Sequence, residues 1–337
     1  MRPDAPIRFS LRFNNDLPVS AYVTLARAAE AAGIDQFWVS DDLFLRSAPV
    51  ILTAVALATT RIEIGTCIVN PYTLHPAEMA MMAATLDEVS GGRFNLGLSS
   101  GAGEFLKWVG IDQDKPYTAV IETMRAVRAL IAGEKAVIDG GFLRWTDEAY
   151  LRFDPPRRRI PVYIGALSPK MLTAIGMDAD GGLPLLLPPE HFETVLPYVQ
   201  AGLKQAGRAA ESVDLAACLW VSLSDDRAAA EAVLRHKIAY YGHAMSPLIW
   251  DRLGLTQDDF RPIESAIMRE GDADKAAAMV TPAMLRIGVV GTAHDLIARL
   301  EPLVALGARH LSFGPPLGPD PLQAIDLLGR EVIRHFR

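Results

Sequence analysis

Apolar residues along this chain fall mostly into short runs, separated by longer stretches in which they return every three or four positions. The short runs have strand length and the longer stretches have helical period. Residues 7–13 read as a first strand, and the helical pattern of 20–32 stops at Gly33, a residue suited to the left-handed turn that closes a helix. A second short strand is predicted at 36–39, an apolar helix at 48–59 and a third strand at 62–69. The helix predicted at 76–89 opens on Pro76 and ends before Gly91-Gly92. Strand 94–98 and helix 119–132 follow.

The alternation breaks at 136–145, which reads as a β-hairpin turning at Asp139-Gly140. It resumes with strands at 161–165, 182–187 and 215–223, each followed by a helix, at 169–179, 190–206 and 226–241. A less regular insertion spans about 245–284, with a helical stretch at 272–279; helix 294–306, strand 310–313 and helix 321–336 close the chain. Eight mainly apolar strands, each with its helix, suit a parallel sheet buried on both faces. Phe13-Asn14-Asn15-Asp16 follows the first strand, where a dinucleotide-binding sheet would carry glycines. The expected fold is α/β, a (β/α)8 TIM barrel with insertions. Residues 1–337 form one domain, with the insertion between the seventh and eighth strands, lining or covering the barrel mouth.

Composition narrows the function. The net charge of −7 and the absence of basic tracts argue against nucleic-acid or anionic-membrane partners. No apolar run reaches membrane-spanning length, and Met1-Arg2-Pro3-Asp4 lacks the layout of a signal peptide. Cys67 and Cys218, the only cysteines, make neither a disulfide framework nor a metal-ligand spacing. A cytoplasmic, small-molecule enzyme with no metal is expected.

In a barrel the chemistry lies where strands end. Ser40-Asp41-Asp42 leaves the second strand, Cys67 to Tyr72 and His75-Pro76 the third, Ser99-Ser100-Gly101-Ala102-Gly103-Glu104 the fourth, and Gly165-Ala166-Leu167-Ser168-Pro169-Lys170 the fifth. Ser168 before Pro169 is a helix cap, and the free N–H groups there, with Lys170, also suit an anion. Ser99, Ser100 and Gly101 make a small polar loop, fit either for a turn or for lying against a ring. Asp41, Asp42 and Glu104 are the candidate acid–base groups. Adjacent aspartates on a strand point to opposite faces, so one of the pair is free to cap the next helix. Cys67 and Trp38 read as core, and His75 as a positioning residue at a helix entry.

At these loops the chain resembles the bacterial luciferase-like superfamily, and within it the deazaflavin-dependent branch that includes methylenetetrahydromethanopterin reductase. The resemblance is carried in order by Phe37-Trp38-Val39-Ser40-Asp41, by Ile64 through Pro76, by Ala84 through Leu98, by Pro161 through Ala166, and by Ser312 through Pro321. It implies a bulge on the third strand with a non-proline cis peptide at Cys67-Ile68, a backstop behind the deazaflavin ring. It implies cofactor contacts from Asp41, Asn70, Ser99, Ser100 and Gly101, with Gly165, Ala166 and Ser168 at the phosphate end. Two positions depart from the family: Asp42 stands where many relatives have histidine, and Ala102 where several have a carboxylate, with Glu104 two residues on. The leading expectation is a coenzyme F420-dependent oxidoreductase passing hydride to a small organic acceptor. An FMN-dependent monooxygenase and a non-catalytic binder of the same ring are the alternatives. A homodimer is expected from the resemblance and from the apolar early helices with Met79, Met81 and Met82.

Overall fold

The computed structural model describes residues 5–185, 187–245 and 247–337. The N-terminal residues 1–4, Leu186 of the sixth predicted strand and Ser246 of the insertion lie outside the described residues. Eight strands close into a parallel barrel: β1 (Arg8–Phe13), β2 (Gln36–Val39), β3 (Glu63–Thr66), β4 (Phe94–Leu98), β5 (Val162–Ala166), β6 (Gly181–Pro184), β7 (Asp214–Leu223) and β8 (His310–Leu317). Each pairs with the next, and β8 returns to β1 with Arg8 opposite His310. Around them lie α1 (Val19–Ala31), α2 (Ala48–Ala58), α3 (Pro76–Ser90), α4 (Pro116–Ala132), α5 (Pro169–Asp178), α6 (Phe192–Gln205) and α7 (Arg227–Tyr241). Helices Ala293–Ala305 and Pro321–Leu327 flank β8. No described helix is long and apolar enough to cross a membrane.

The structure departs from expectation at several places. β3 stops at Thr66, just before the cis peptide bond Cys67–Ile68, and Val69 then bridges to Leu98. β8 runs on to Leu317 with a register shift after Gly314, where Pro315 and Pro316 have no N–H to give the ladder. A short strand, Val289–Gly291, went unforeseen and pairs with the upper end of the ten-residue β7. Helix Gly103–Trp108 is too short to show a period. The hairpin pairs Ile138–Asp139 with Arg144–Trp145 and has a four-residue loop rather than a tight Asp-Gly turn. The Glu122 carboxylate holds that loop by accepting from the N–H groups of Gly141, Phe142 and Leu143 at 2.9, 2.9 and 2.8 Å.

The insertion is more ordered than its pattern suggested. Helices Pro247–Leu253, Gln257–Ser265, Ala273–Ala278 and Pro282–Leu285 enclose Trp250, Phe260 and Ile263 against Leu234 and Ile238 of α7. Asp272 caps the third of them, as the predicted helix at 272–279 requires.

The main apolar core lies between strands and helices. The barrel interior is layered. At the N-terminal end, the Glu63 carboxylate accepts from Arg8, Gln36 and Asn95 at 2.8, 2.7 and 2.9 Å. Asp214 accepts from Arg8 and Tyr163, both at 2.7 Å, and from His310 Nδ1 at 3.0 Å. Above this polar floor Trp38, Tyr163, Leu183, Ala216 and Cys218 pack together. Gly97 allows β3 and β4 their approach: a Cβ there would lie 1.8 Å from the carbonyl oxygen of Thr66.

Candidate active site

A cavity of about 530 Å³ opens at the C-terminal end of the barrel, within the size range of small-molecule sites. The strand ends bring eleven of the twelve predicted site residues to its wall: Asp41 and Asp42 after β2, Cys67, Ile68 and Asn70 after β3, Ser99, Ser100 and Gly101 after β4, Gly165, Ala166 and Ser168 at β5. Glu104 does not line it; this side chain is exposed on the first turn of helix Gly103–Trp108.

The Cys67–Ile68 peptide forms part of the cavity wall. Its neighbours are pinned, since Cys67 N–H donates to Val39 O at 2.8 Å and Val69 N–H to Gly97 O at 3.0 Å. Asn70 is buried, and its Oδ1 accepts from the N–H groups of Tyr72 and Thr73, both at 3.0 Å. Gly101, at φ 74°, needs the left-handed conformation that glycine adopts without strain. Gln113 holds this loop, donating to the carbonyls of Ser100 and Gly101 at 2.8 and 2.9 Å. Ser99 Oγ donates to Gly165 O at 2.8 Å, tying the fourth loop to the fifth.

Ser168, also in the wall, caps α5, its Oγ accepting from Met171 N–H at 3.3 Å. Lys170 extends over the Tyr117 ring, 4.0 Å from its centroid. A helix N-terminus beside a lysine favours anions. His75 caps α3, its Nδ1 accepting from Ala77 N–H at 3.3 Å, and Trp38 is fully buried, both in the roles expected from the sequence.

Both aspartates lie past the end of β2 and line the cavity, rather than facing opposite ways as on a strand, and they differ in their partners. Asp41 Oδ1 accepts from Ala48 N–H, the first residue of α2, at 2.9 Å. Among the described residues, the Asp42 carboxylate has only a long contact from Ser40 Oγ at 3.4 Å. Burial raises the pKa of both; the Ala48 N–H opposes this for Asp41, and Ser40 and then Lys237 oppose it for Asp42. Lys237, from α7, lies over Tyr241 and Trp220, 4.0 and 5.2 Å from their ring centroids, and burial pushes its pKa down to about 8. Burial pushes the Cys67 thiol up to about 12, so it stays neutral and is a poor nucleophile.

Sequence reasoning missed Arg12, Gln113, Tyr117 and Cys218. Arg12 left a signal: Ser10 and Arg12 alternate with Phe9, Leu11 and Phe13 on β1, which marks a polar inner face. Gln113 left none, because its loop shows no period.

A family model described as luciferase-like monooxygenase matches residues 6–310. The chain is 32% identical over 326 residues to 5,10-methylenetetrahydromethanopterin reductase of Methanolobus tindarius, covering 96% of this chain and 99% of that one. It is 32% identical over 331 residues to the enzyme of the same name from Archaeoglobus fulgidus, covering 97% and 99%. The solved structure of coenzyme F420 dependent tetrahydromethanopterin reductase from Methanopyrus kandleri superposes with a TM-score of 0.93 at 28% identity, over 99% of this chain and 100% of that one.

Proposed function

The chain belongs to the luciferase-like monooxygenase family, and from that premise we propose that it is an oxidoreductase using coenzyme F420, resembling the 5,10-methylenetetrahydromethanopterin reductases. The observation that carries this reading is the lining of the cavity. It joins the Cys67–Ile68 backbone to the capped N-terminus of α5, a combination that suits a flat ring with an anionic tail. The residues fit such a group. A Cβ on Gly165 would come within 3.1 Å of Ile68 and Ser99, so that glycine lets these two side chains of the cavity wall pack against β5.

When bound, F420 supplies or accepts a hydride, and the protein contributes binding, orientation and proton handling. In this reading the Cys67–Ile68 backbone supports one face of the ring. Asp41, Asn70, Ser99, Ser100 and Gly101 follow the ring and tail. Gly165, Ala166 and Ser168, with Lys170, meet the phosphate. Asp42 has the less occupied carboxylate, and burial keeps it readier to hold a proton; it is the donor to the reduced acceptor. Exposed Glu104 takes no part.

Reconstitution tests the cofactor. Purified protein is expected to bind F420 and to oxidise its reduced form when an acceptor is added. Tight FMN binding with oxygen-dependent turnover, and no F420 binding, would reject the reading in favour of a flavin monooxygenase. Gly165→Val would push Ile68 and Ser99 out of place in the cavity wall and is expected to weaken F420 binding by about tenfold or more while the far-ultraviolet circular dichroism stays native. Unchanged affinity would move the ring elsewhere.

We also propose a homodimer in a reducing, cytoplasmic setting, consistent with the unpaired Cys67 and Cys218. Met79 is buried under α3, but Val50 and Leu57 of α2 and Met81 of α3 are exposed, apolar and on adjoining helices. Light scattering should give twice the chain mass of 36.6 kDa; a monomer alone would remove the dimer from this account.

A further inference from the structure

The proposed chemistry leaves Arg12 unexplained. It rises from β1 into the cavity wall and is only 8% exposed. Its Nε donates to Ser312 Oγ at 3.1 Å and its Nη2 to the carbonyl of Leu219 at 2.8 Å. The guanidinium lies close against β8, where a Cβ on Gly314 would fall 2.4 Å from Nη2. These partners are neutral. Among the described residues no carboxylate stands within 4.0 Å of the guanidinium, and Nη1 donates to none of them. Arg8, four residues earlier on the same inner face, is matched by both Glu63 and Asp214. A charge taken out of water without a counter-charge is costly. The cost is relieved when a ligand brings the opposite charge.

The guanidinium is also held in place. Ser312 is bonded to Ser10 at 2.7 Å, Ser10 to His310 at 2.8 Å, and His310 to Asp214 at 3.0 Å. This line climbs the barrel axis from the polar floor and ends on Arg12. Cys67 and Cys218, which share its wall, are thiols kept neutral by burial and cannot serve as counter-ions. A fixed planar fork with one free edge is suited to an anionic oxygen group.

We propose that Arg12 receives an anionic oxygen of the hydride acceptor, so that the acceptor is a carboxylate-bearing compound or a carbonyl compound rather than one with a cationic reacting centre. For a carbonyl, hydride adds to carbon and the π pair moves onto oxygen. Arg12 holds that oxygen, a proton from Asp42 completes the alcohol, and reduced F420 is oxidised. The identity of the anion as the hydride acceptor rests on the F420 reading; the anion site itself does not.

The test uses sodium benzoate in titration calorimetry, with and without F420, and sodium bromide soaked into crystals. Wild-type protein is expected to bind benzoate, and the crystals to show an anomalous peak beside Arg12. Arg12→Gln should weaken benzoate by about tenfold to a hundredfold, the worth of a charged hydrogen bond, and lose the peak. Arg12→Lys should keep part of the affinity, which separates lost charge from lost folding. In turnover, a loss in KM points to a carboxylate already charged in the ground state, and a loss in kcat to a carbonyl oxygen that gains charge. No peak in wild-type crystals, or equal benzoate affinity in folded Arg12→Gln, overturns the proposal. Benzoate binding without F420 binding would leave the anion site standing and reject the cofactor reading.

Discussion

Asp42→Asn is expected to lower kcat by about 10²–10⁴-fold, the usual contribution of a positioned general acid, with F420 affinity unchanged. Asparagine has the same shape and keeps the contact to Ser40, so the change removes the proton and little else. The pH dependence gives a second reading. A donor works in its protonated form, so activity falls as pH rises through the pKa of Asp42. Burial raises that pKa, and the alkaline limb should therefore lie above the ordinary carboxylate range. Lys237 opposes the rise, so Lys237→Met should move the limb to still higher pH. Glu104→Gln serves as the control, because this exposed carboxylate does not line the cavity. If Asp42→Asn turns over within about threefold of wild type, a proton donor of that strength is excluded.

Asp214→Ala is expected to cost about 3 kcal/mol of stability at neutral pH. The change leaves Arg8, His310 and the Tyr163 hydroxyl facing a missing partner at the barrel floor. The value is set at the low end for a broken buried pair because the Arg8 side chain is 32% exposed and solvent softens the loss. Burial alone would raise the pKa of Asp214, but His310, Arg8 and Tyr163 together hold it far below the carboxylate range. Its folded pKa is thus depressed. Its contribution is complete above the pKa of the unfolded aspartate and is lost only as pH falls through the folded value. Wild type and variant should converge only in strong acid. Urea unfolding followed across pH measures this, and equal midpoints at neutral pH would show that the floor network carries no net stability.

The division between what was legible and what was not follows from the range of each interaction. Strand and helix identity depend on neighbours a few residues apart, and the alternation of short apolar runs with helical periods determined the eight-fold barrel. Strand ends then pointed to the mouth, and the resemblance at Ile64 through Pro76 pointed to the Cys67–Ile68 peptide, which is cis. Helix Gly103–Trp108 and strand Val289–Gly291 escaped because each is too short for a period to form. Glu104 was nominated by its position in the fourth loop, but one turn of helix carries it to the surface.

Long-range pairing was hidden for a different reason. Arg12 meets Ser312 and Leu219, and Asp214 meets Arg8, Tyr163 and His310, across separations that no local pattern encodes. By itself the sequence determined the barrel and the strand ends around the cavity, the Cys67–Ile68 segment among them. Only the closed barrel decided which charges are matched. Among the described residues it gives Arg8 two carboxylates and Arg12 none, because closure stacks the inward residues of eight strands in layers and each charge meets whatever its layer holds.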